Sequence, residues 1–172
     1  MPRKPHARAG VGLLSVLGCV VGAHAFVLCV APAAAQVPHG ATIVVLPFEN
    51  PSQEPRLAWM REGAAILLTE SLAAAGEAVV AREERTRAFD RLQIPAYANL
   101  SRATTIRIGH AVDSTLVVSG TIAMDVDQIV ARARVVRLDT GRLLPEVESR
   151  GPLSNLFGVF GALAQKIRAS AE

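Results

Sequence analysis

The sequence predicts one α/β domain behind an export signal, with elements in the order β-α-β-α-α-β-β-β-α. Three observations lead there. The run "TIVVLPFEN" at residues 42–50 is apolar without interruption through Val44, Val45 and Leu46 and is closed by Pro47, as in a short strand buried on both faces. From there to about Ala111, stretches with a helical apolar stripe alternate with short strand-like runs. After Ser114 the pattern changes to strand candidates in succession, followed by a closing amphipathic segment.

Before Val37 the chain reads as an export signal. Arg3, Lys4 and Arg8 form a basic start, "VGLLSVLGCVVGAHAFVLCV" an apolar stretch, and "APAAAQ" a small-residue cleavage site with Ala33 and Ala35 where a signal peptidase wants them. The expected division is a signal peptide over residues 1–35, cleaved after Ala35, and a single domain over residues 36–172, exported to the periplasm. The same segment has two other readings: an uncleaved membrane anchor through residues 10–31, since the stretch approaches the roughly 20 residues that span a bilayer, and lipidation of Cys19, where "VLGC" is a near-lipobox with an imperfect Leu17.

Composition excludes several classes of function once that segment is set aside. The formal net charge is +3, but Arg3, Lys4 and Arg8 supply the whole excess and no acid precedes Glu49, so the mature part is close to neutral. A nucleic-acid partner or an anionic surface would call for a basic domain. Both cysteines, Cys19 and Cys29, fall within the signal, which leaves no thiol for a disulfide, a thiolate metal site or a nucleophile. His39 and His110 are the only histidines beyond it, too few for a zinc site. No cofactor is expected.

The elements follow in order. Proline has no ladder donor, so the first strand should finish near Leu46. In "LAWMREGAAILLTESLAAAG", Met60, Ala64, Leu67, Leu68, Leu72 and Ala75 share one helical face, and Gly76 closes the helix. "EAVVA", residues 77–81, is a second short strand, and "REERTRAFDRLQ" a polar helix with Phe89 and Leu92 inward. Pro95 and Asn99 mark a loop, after which Ser101 can cap a third helix to about Ala111. "STLVVSGTIAMD" and "QIVARARVVRLD" form a half-solvated antiparallel hairpin, with Val130, Arg132 and Arg134 alternating against Ile129, Ala131 and Ala133. "DTGR" turns the chain into a strand candidate from Leu143 to Ser149. In the last segment Leu156, Phe160, Leu163 and Ile167 form a stripe that reads as core packing.

In this order the segments "IVVLPFEN", "WMREGAAILLTESLA", "VVAREERTRAFDRLQI", "IGHAVDSTLVVSGTI" and "ARVVRLDTGRLL" resemble the envelope superfamily that includes the amino-terminal domain of TolB, the periplasmic domain of CsgG, and TolB-like domains found before tetratricopeptide repeats. The resemblance covers roughly residues 41–168. It implies a mixed β-sheet with helices packed on one face, and a domain that binds or assembles without catalysis. The sequence stops at Glu172, with neither the propeller of TolB nor helical repeats following. It also shows no long amphipathic hairpins such as a CsgG-like pore would need.

The function expected is therefore a non-enzymatic protein-binding or adaptor domain of the bacterial cell envelope, whose partner is an envelope protein or peptide, with no nucleic acid and no membrane insertion of the mature domain. Two other functions fit parts of the sequence. "LDTG" at residues 138–141 matches the aspartic-protease core, and a homodimer would supply the second carboxylate to Asp139; alternatively Asp139 and Gly141 simply form a turn. An outer-membrane-associated assembly or secretion subunit is the other. Catalytic and metal-binding residues are not expected. The candidate binding residues are Leu143, Leu144, Glu146, Val147 and Glu148, as a sheet edge to which a peptide adds, and Trp59, as an aromatic anchor or a packing residue of its helix. Arg132 and Arg134 read as a solvated strand surface or an anion site. Gly63 reads as allowing close helix-to-sheet approach, and Gly120 as a bulge or a crowded backbone.

Overall fold

The computed structural model describes residues 42–171, so the expected export signal, its expected cleavage after Ala35 and both cysteines lie outside the described residues. Strand β1 (Thr42–Val45) pairs in parallel with β2 (Ala78–Val79) on one side and with β3 (Leu116–Asp125) on the other. β3 pairs antiparallel with β4 (Gln128–Arg137), and β4 with β5 (Val147–Pro152), giving a five-stranded sheet in the order β2-β1-β3-β4-β5. The α/β class, the mixed sheet and the element order are those expected.

Alternation along β1 decides which side each helix takes. Ile43 and Val45 face a core shared with α1 (Met60–Ala74) and α4 (Leu156–Ala171). Val44 and Leu46 face a smaller core shared with α2 (Arg82–Arg91) and α3 (Arg102–Ala111). The helices thus divide between the two faces instead of sharing one. The reason is in the first strand itself: four consecutive apolar residues need cover on both sides, and all four are buried.

Local signals hold each helix in place. α1 ends at Gly76, whose φ of 89° belongs to the left-handed region; Gly76 N–H donates to Ala73 O at 2.9 Å and Glu77 N–H to Leu72 O at 3.1 Å, which satisfies two carbonyls that the helix end would orphan. α3 begins with the Ser101 hydroxyl accepting from Thr104 N–H at 3.1 Å. α4 buries Val159, Phe160, Leu163, Ala164 and Ile167, so its stripe is core. Phe160 meets Phe48 edge to face, the ring centroids 6.0 Å apart.

The β3–β4 hairpin is half-solvated as its alternation indicates. Ile122, Ile129, Ala131 and Ala133 lie in the larger core, while Ser119, Thr121, Arg132 and Arg134 share the other face. Both strands are ten residues long. That is enough to span a bilayer, but a face of arginine, serine and threonine opposite a helix-covered core does not suit a lipid-facing wall. Among the described residues no helix is long and apolar enough to cross a membrane. The strand expected over Leu143 to Ser149 starts later: Leu143 makes an isolated bridge to Val136, Leu144 turns into the core, and the regular ladder begins at Val147. Pro145 between them has no N–H to offer a ladder.

Close helix-to-sheet approach occurs at Gly109, and not at Gly63 as the sequence suggested. A Cβ on Gly109 would meet side-chain carbons of Val117 and Leu138, the latter at 2.6 Å, whereas at Gly63 it would meet the Trp59 indole at 3.4 Å. Gly120 is a crowded backbone position, its missing side chain replaced by the Phe48 ring and the Arg132 carbonyl. Gly109→Ala should therefore lower stability by about 1–3 kcal/mol. Gly63→Ala should be neutral or stabilising by up to about 1 kcal/mol through helix propensity, while altering the fluorescence of the single tryptophan. Denaturant melts of the two variants, followed by fluorescence, check both.

Candidate protein-docking crevice

The loop after β1 shapes one wall of a crevice. Beyond Pro47 the chain rejoins β3 at Glu49, whose N–H donates to Gly120 O and whose carbonyl accepts from Ile122 N–H, both at 2.8 Å. Asn50 then closes the loop by donating to Glu54 O at 2.9 Å and accepting from Glu54 N–H at 3.2 Å. A short 3₁₀ turn, Pro55–Leu57, drops Leu57 into the core. This delivers Trp59 to the start of α1, where its indole lies against Gly63 and remains 60% exposed.

Two arginines join that wall to the other. Arg61 donates through Nε to Phe48 O at 3.2 Å, through Nη1 to Tyr97 O at 2.9 Å and through Nη2 to Ala98 O at 3.3 Å, so the α2–α3 loop is tied to the β1 loop. Tyr97 is thereby held at the rim, 79% exposed. Arg85 is only 4% exposed. Its Nη1 donates to Val45 O at 2.8 Å and its Nη2 to the Glu62 carboxylate, which also accepts from Arg82 Nε at 2.8 Å. Burial pulls the Arg85 pKa below the ordinary arginine value and the Glu62 carboxylate opposes that pull. An arginine so placed stays a cation at neutral pH.

The crevice has a volume of about 430 Å³, and Trp59, Phe89, Ile94 and Tyr97 supply its apolar lining. Its position follows from topology. β1 and β2 are neighbours whose following helices leave to opposite faces, and outside the carboxyl ends of such strands open α/β sheets form their ligand crevices. Aromatic faces and fixed cations suit recognition. Of the two hydroxyls in the lining, that of Thr86 donates to Arg82 O at 2.9 Å and that of Tyr97 is phenolic.

Of the candidate binding residues expected from sequence, Trp59 alone lies in the crevice. The others are dispersed. Leu144 is in the larger core and Val147 packs against it. Leu143 and Glu146 line a second groove of about 500 Å³ on the open face of the sheet, beside the start of α3. The charges there are largely matched: Arg134 meets Glu146 at 2.7 Å, Arg132 meets Glu148 at 2.8 Å, and Arg150 meets Glu148 at 2.5 Å. Arg132 and Arg134 thus belong to a set of ion pairs between β4 and residues 146–148, and a lining without an aromatic side chain makes this groove the weaker candidate. β5 is an edge strand, and Lys166 of α4 donates to its Glu148 carbonyl at 2.7 Å. Sequence reasoning missed Arg61, Arg85 and Tyr97. For Arg85 a signal existed: it sits one turn before Phe89, on the inward stripe of α2 with Ala88.

No protein-family model matches the chain, and no curated protein matches it. Solved structures share its fold. It is similar to the LpoB C-terminal domain from Salmonella enterica, with a TM-score of 0.54 and 17% identity over 66% of this chain and 83% of that one. It is similar to lipoprotein GNA1162 from Neisseria meningitidis, with a TM-score of 0.53 and 22% identity over 77% and 99% of the two chains. With TolB from Acinetobacter baumannii the TM-score is 0.52 and the identity 14%, over 77% of this chain but 28% of that one. The fold is one it shares with LpoB and TolB. At these identities the similarity is of architecture, and the expected resemblance to TolB is found at that level.

Asp139 occupies an exposed turn after β4, followed by Gly141 at φ 63°. Partial desolvation pushes its pKa up, but the Arg137 guanidinium at 3.5 Å and the Thr140 N–H and hydroxyl at 2.8 and 3.2 Å bring it below the ordinary aspartate value. A carboxylate held ionised in this way suits a turn better than a proton-sharing dyad. Because the native pKa is depressed, its contribution to stability is complete above the ordinary value of about 3.9 and is lost as pH falls through the native one. Asp139→Asn is expected to keep the fold, to melt slightly below the unaltered chain at neutral pH, and to match it in acid once Asp139 is protonated, as thermal melts across pH will show. A hydrolytic activity abolished by the substitution would contradict the turn assignment.

Proposed function

We propose that the chain is an exported, non-enzymatic protein-binding or adaptor domain of the bacterial cell envelope, with the crevice between α1 and α2 as its docking site. The observation that carries this reading is the exposure of Trp59 and Tyr97 in the lining of one crevice, the Trp59 indole lying beside Gly63 and the Tyr97 backbone carbonyl bonded by Arg61. Rigid aromatic side chains beside a desolvated pocket are the usual anchors of protein interfaces. The leader supports export to the periplasm with cleavage after Ala35, and retention through residues 10–31 or lipidation at Cys19 would place the same domain at a membrane surface. One of the fold neighbours is described as a lipoprotein.

Pairing of a peptide to β5 is the other docking mode the sheet offers. Lys166 on the Glu148 carbonyl and the missing donor of Pro152 blunt that edge, which favours the crevice. A photo-crosslinking amino acid placed at Trp59 in cells should give a discrete adduct with an envelope protein, and one placed at Val126, exposed in the β3–β4 turn, should not. Adducts of the chain with itself alone would indicate an assembly subunit instead. Identical adducts from both positions, or none, would remove the docking assignment.

A further inference from the structure

The charges around the crevice are unequal. Arg82 and Arg85 share the single carboxylate of Glu62, and Arg61 bonds three carbonyl oxygens with no acidic partner within ion-pair distance among the described residues. Asp90 also lines the crevice, so the lining carries three cations against two anions. Glu62 is occupied by two guanidiniums, and Arg82, more than half exposed, keeps donors free beside the apolar lining. In the second groove Arg132 and Arg134 each have a glutamate partner, Arg102 bonds the Gly141 carbonyl, and no aromatic side chain lies beside them.

Resting on the docking reading above, we propose that the partner presents to this crevice an extended peptide segment carrying an apolar side chain and, within one or two residues of it, a carboxylate. The apolar side chain packs between Trp59 and Tyr97 over Phe89 and Ile94. The carboxylate meets Arg82, which is planar, permanently charged and suited to a two-point contact with an acid. The cation fixes orientation and discriminates against basic segments, while the aromatic pair supplies most of the affinity. The short spacing is chosen because Arg82 and the aromatic side chains line the same crevice.

The test is selection of random displayed peptides on the chain as purified from cells, in parallel on the Trp59→Ala and Arg82→Glu variants, with circular dichroism confirming that both are folded. The unaltered chain should enrich peptides with Asp or Glu next to, or one residue away from, a large apolar side chain. Each enriched peptide should lose at least about tenfold in affinity on Trp59→Ala, and selection on Arg82→Glu should shift towards Lys and Arg at the acidic position. Peptides that depend on Trp59 but carry no acid overturn the charge rule and leave protein docking at the crevice standing. Absence of any Trp59-dependent peptide overturns both. Dimerisation of the unaltered chain in sedimentation, lost in Trp59→Ala, would identify a second copy as the occupant and equally overturn the peptide proposal.

Discussion

Arg85 is the one charged side chain classed as buried among the described residues, and the crevice depends on it. An ion removed from water costs several kcal/mol unless it is paired and hydrogen-bonded. That requirement fixes three elements at once: the Val45 carbonyl at the end of β1, Glu62 in the first turn of α1, and α2, which carries Arg85 itself. The end of the first strand and the early turns of α1 and α2, which cover opposite faces of the sheet, are thereby drawn to a single guanidinium. Arg61 repeats the arrangement one step outward, using three carbonyl oxygens to hold the Tyr97 loop.

The two faces of the sheet show why the crevice and not the open sheet surface is the candidate site. On β4 Arg132 and Arg134 face outward from a core made by Ile129, Ala131 and Ala133, and each meets a glutamate of the next segment. Exposed pairs of this type add little to stability, but they occupy the arginines of that face and make the edge strand unattractive to stray pairing. At the carboxyl ends of β1 and β2 the surface is different: two arginines share the one carboxylate of Glu62, and two aromatic rings remain in water. Exposed aromatic surface has a cost that a partner can remove.

Much of this was legible in the sequence because it is written locally. Four consecutive apolar residues in β1, Gly76 after α1, Ser101 before α3 and the alternation of β4 each state their own structure. The division of the helices between faces was also implicit in the β1 run, since Ile43 to Leu46 cannot all be covered from one side. Other features depend on partners distant in the chain. Gly63 and Gly109 look alike as helix glycines, and the neighbours that separate them are Trp59 in one case and Val117 and Leu138 in the other. The ladder of β5 begins only after Pro145, so the edge segment was read four residues early. Tyr97 gave no signal at all, because its position is set by Arg61, 36 residues away.

The most direct measurement of the central claim is the ¹⁵N–¹H spectrum of the arginine side chains in solution, since burial and bonding of a guanidinium slow both its proton exchange and its rotation. Arg85 should give separate, slowly exchanging Nη–H signals in the unaltered chain and lose that protection when Glu62 is replaced by Gln. An Arg85 signal that is averaged and exchanges as rapidly as that of an exposed arginine such as Arg82 would show that no buried guanidinium joins the walls, and the crevice as described would not exist.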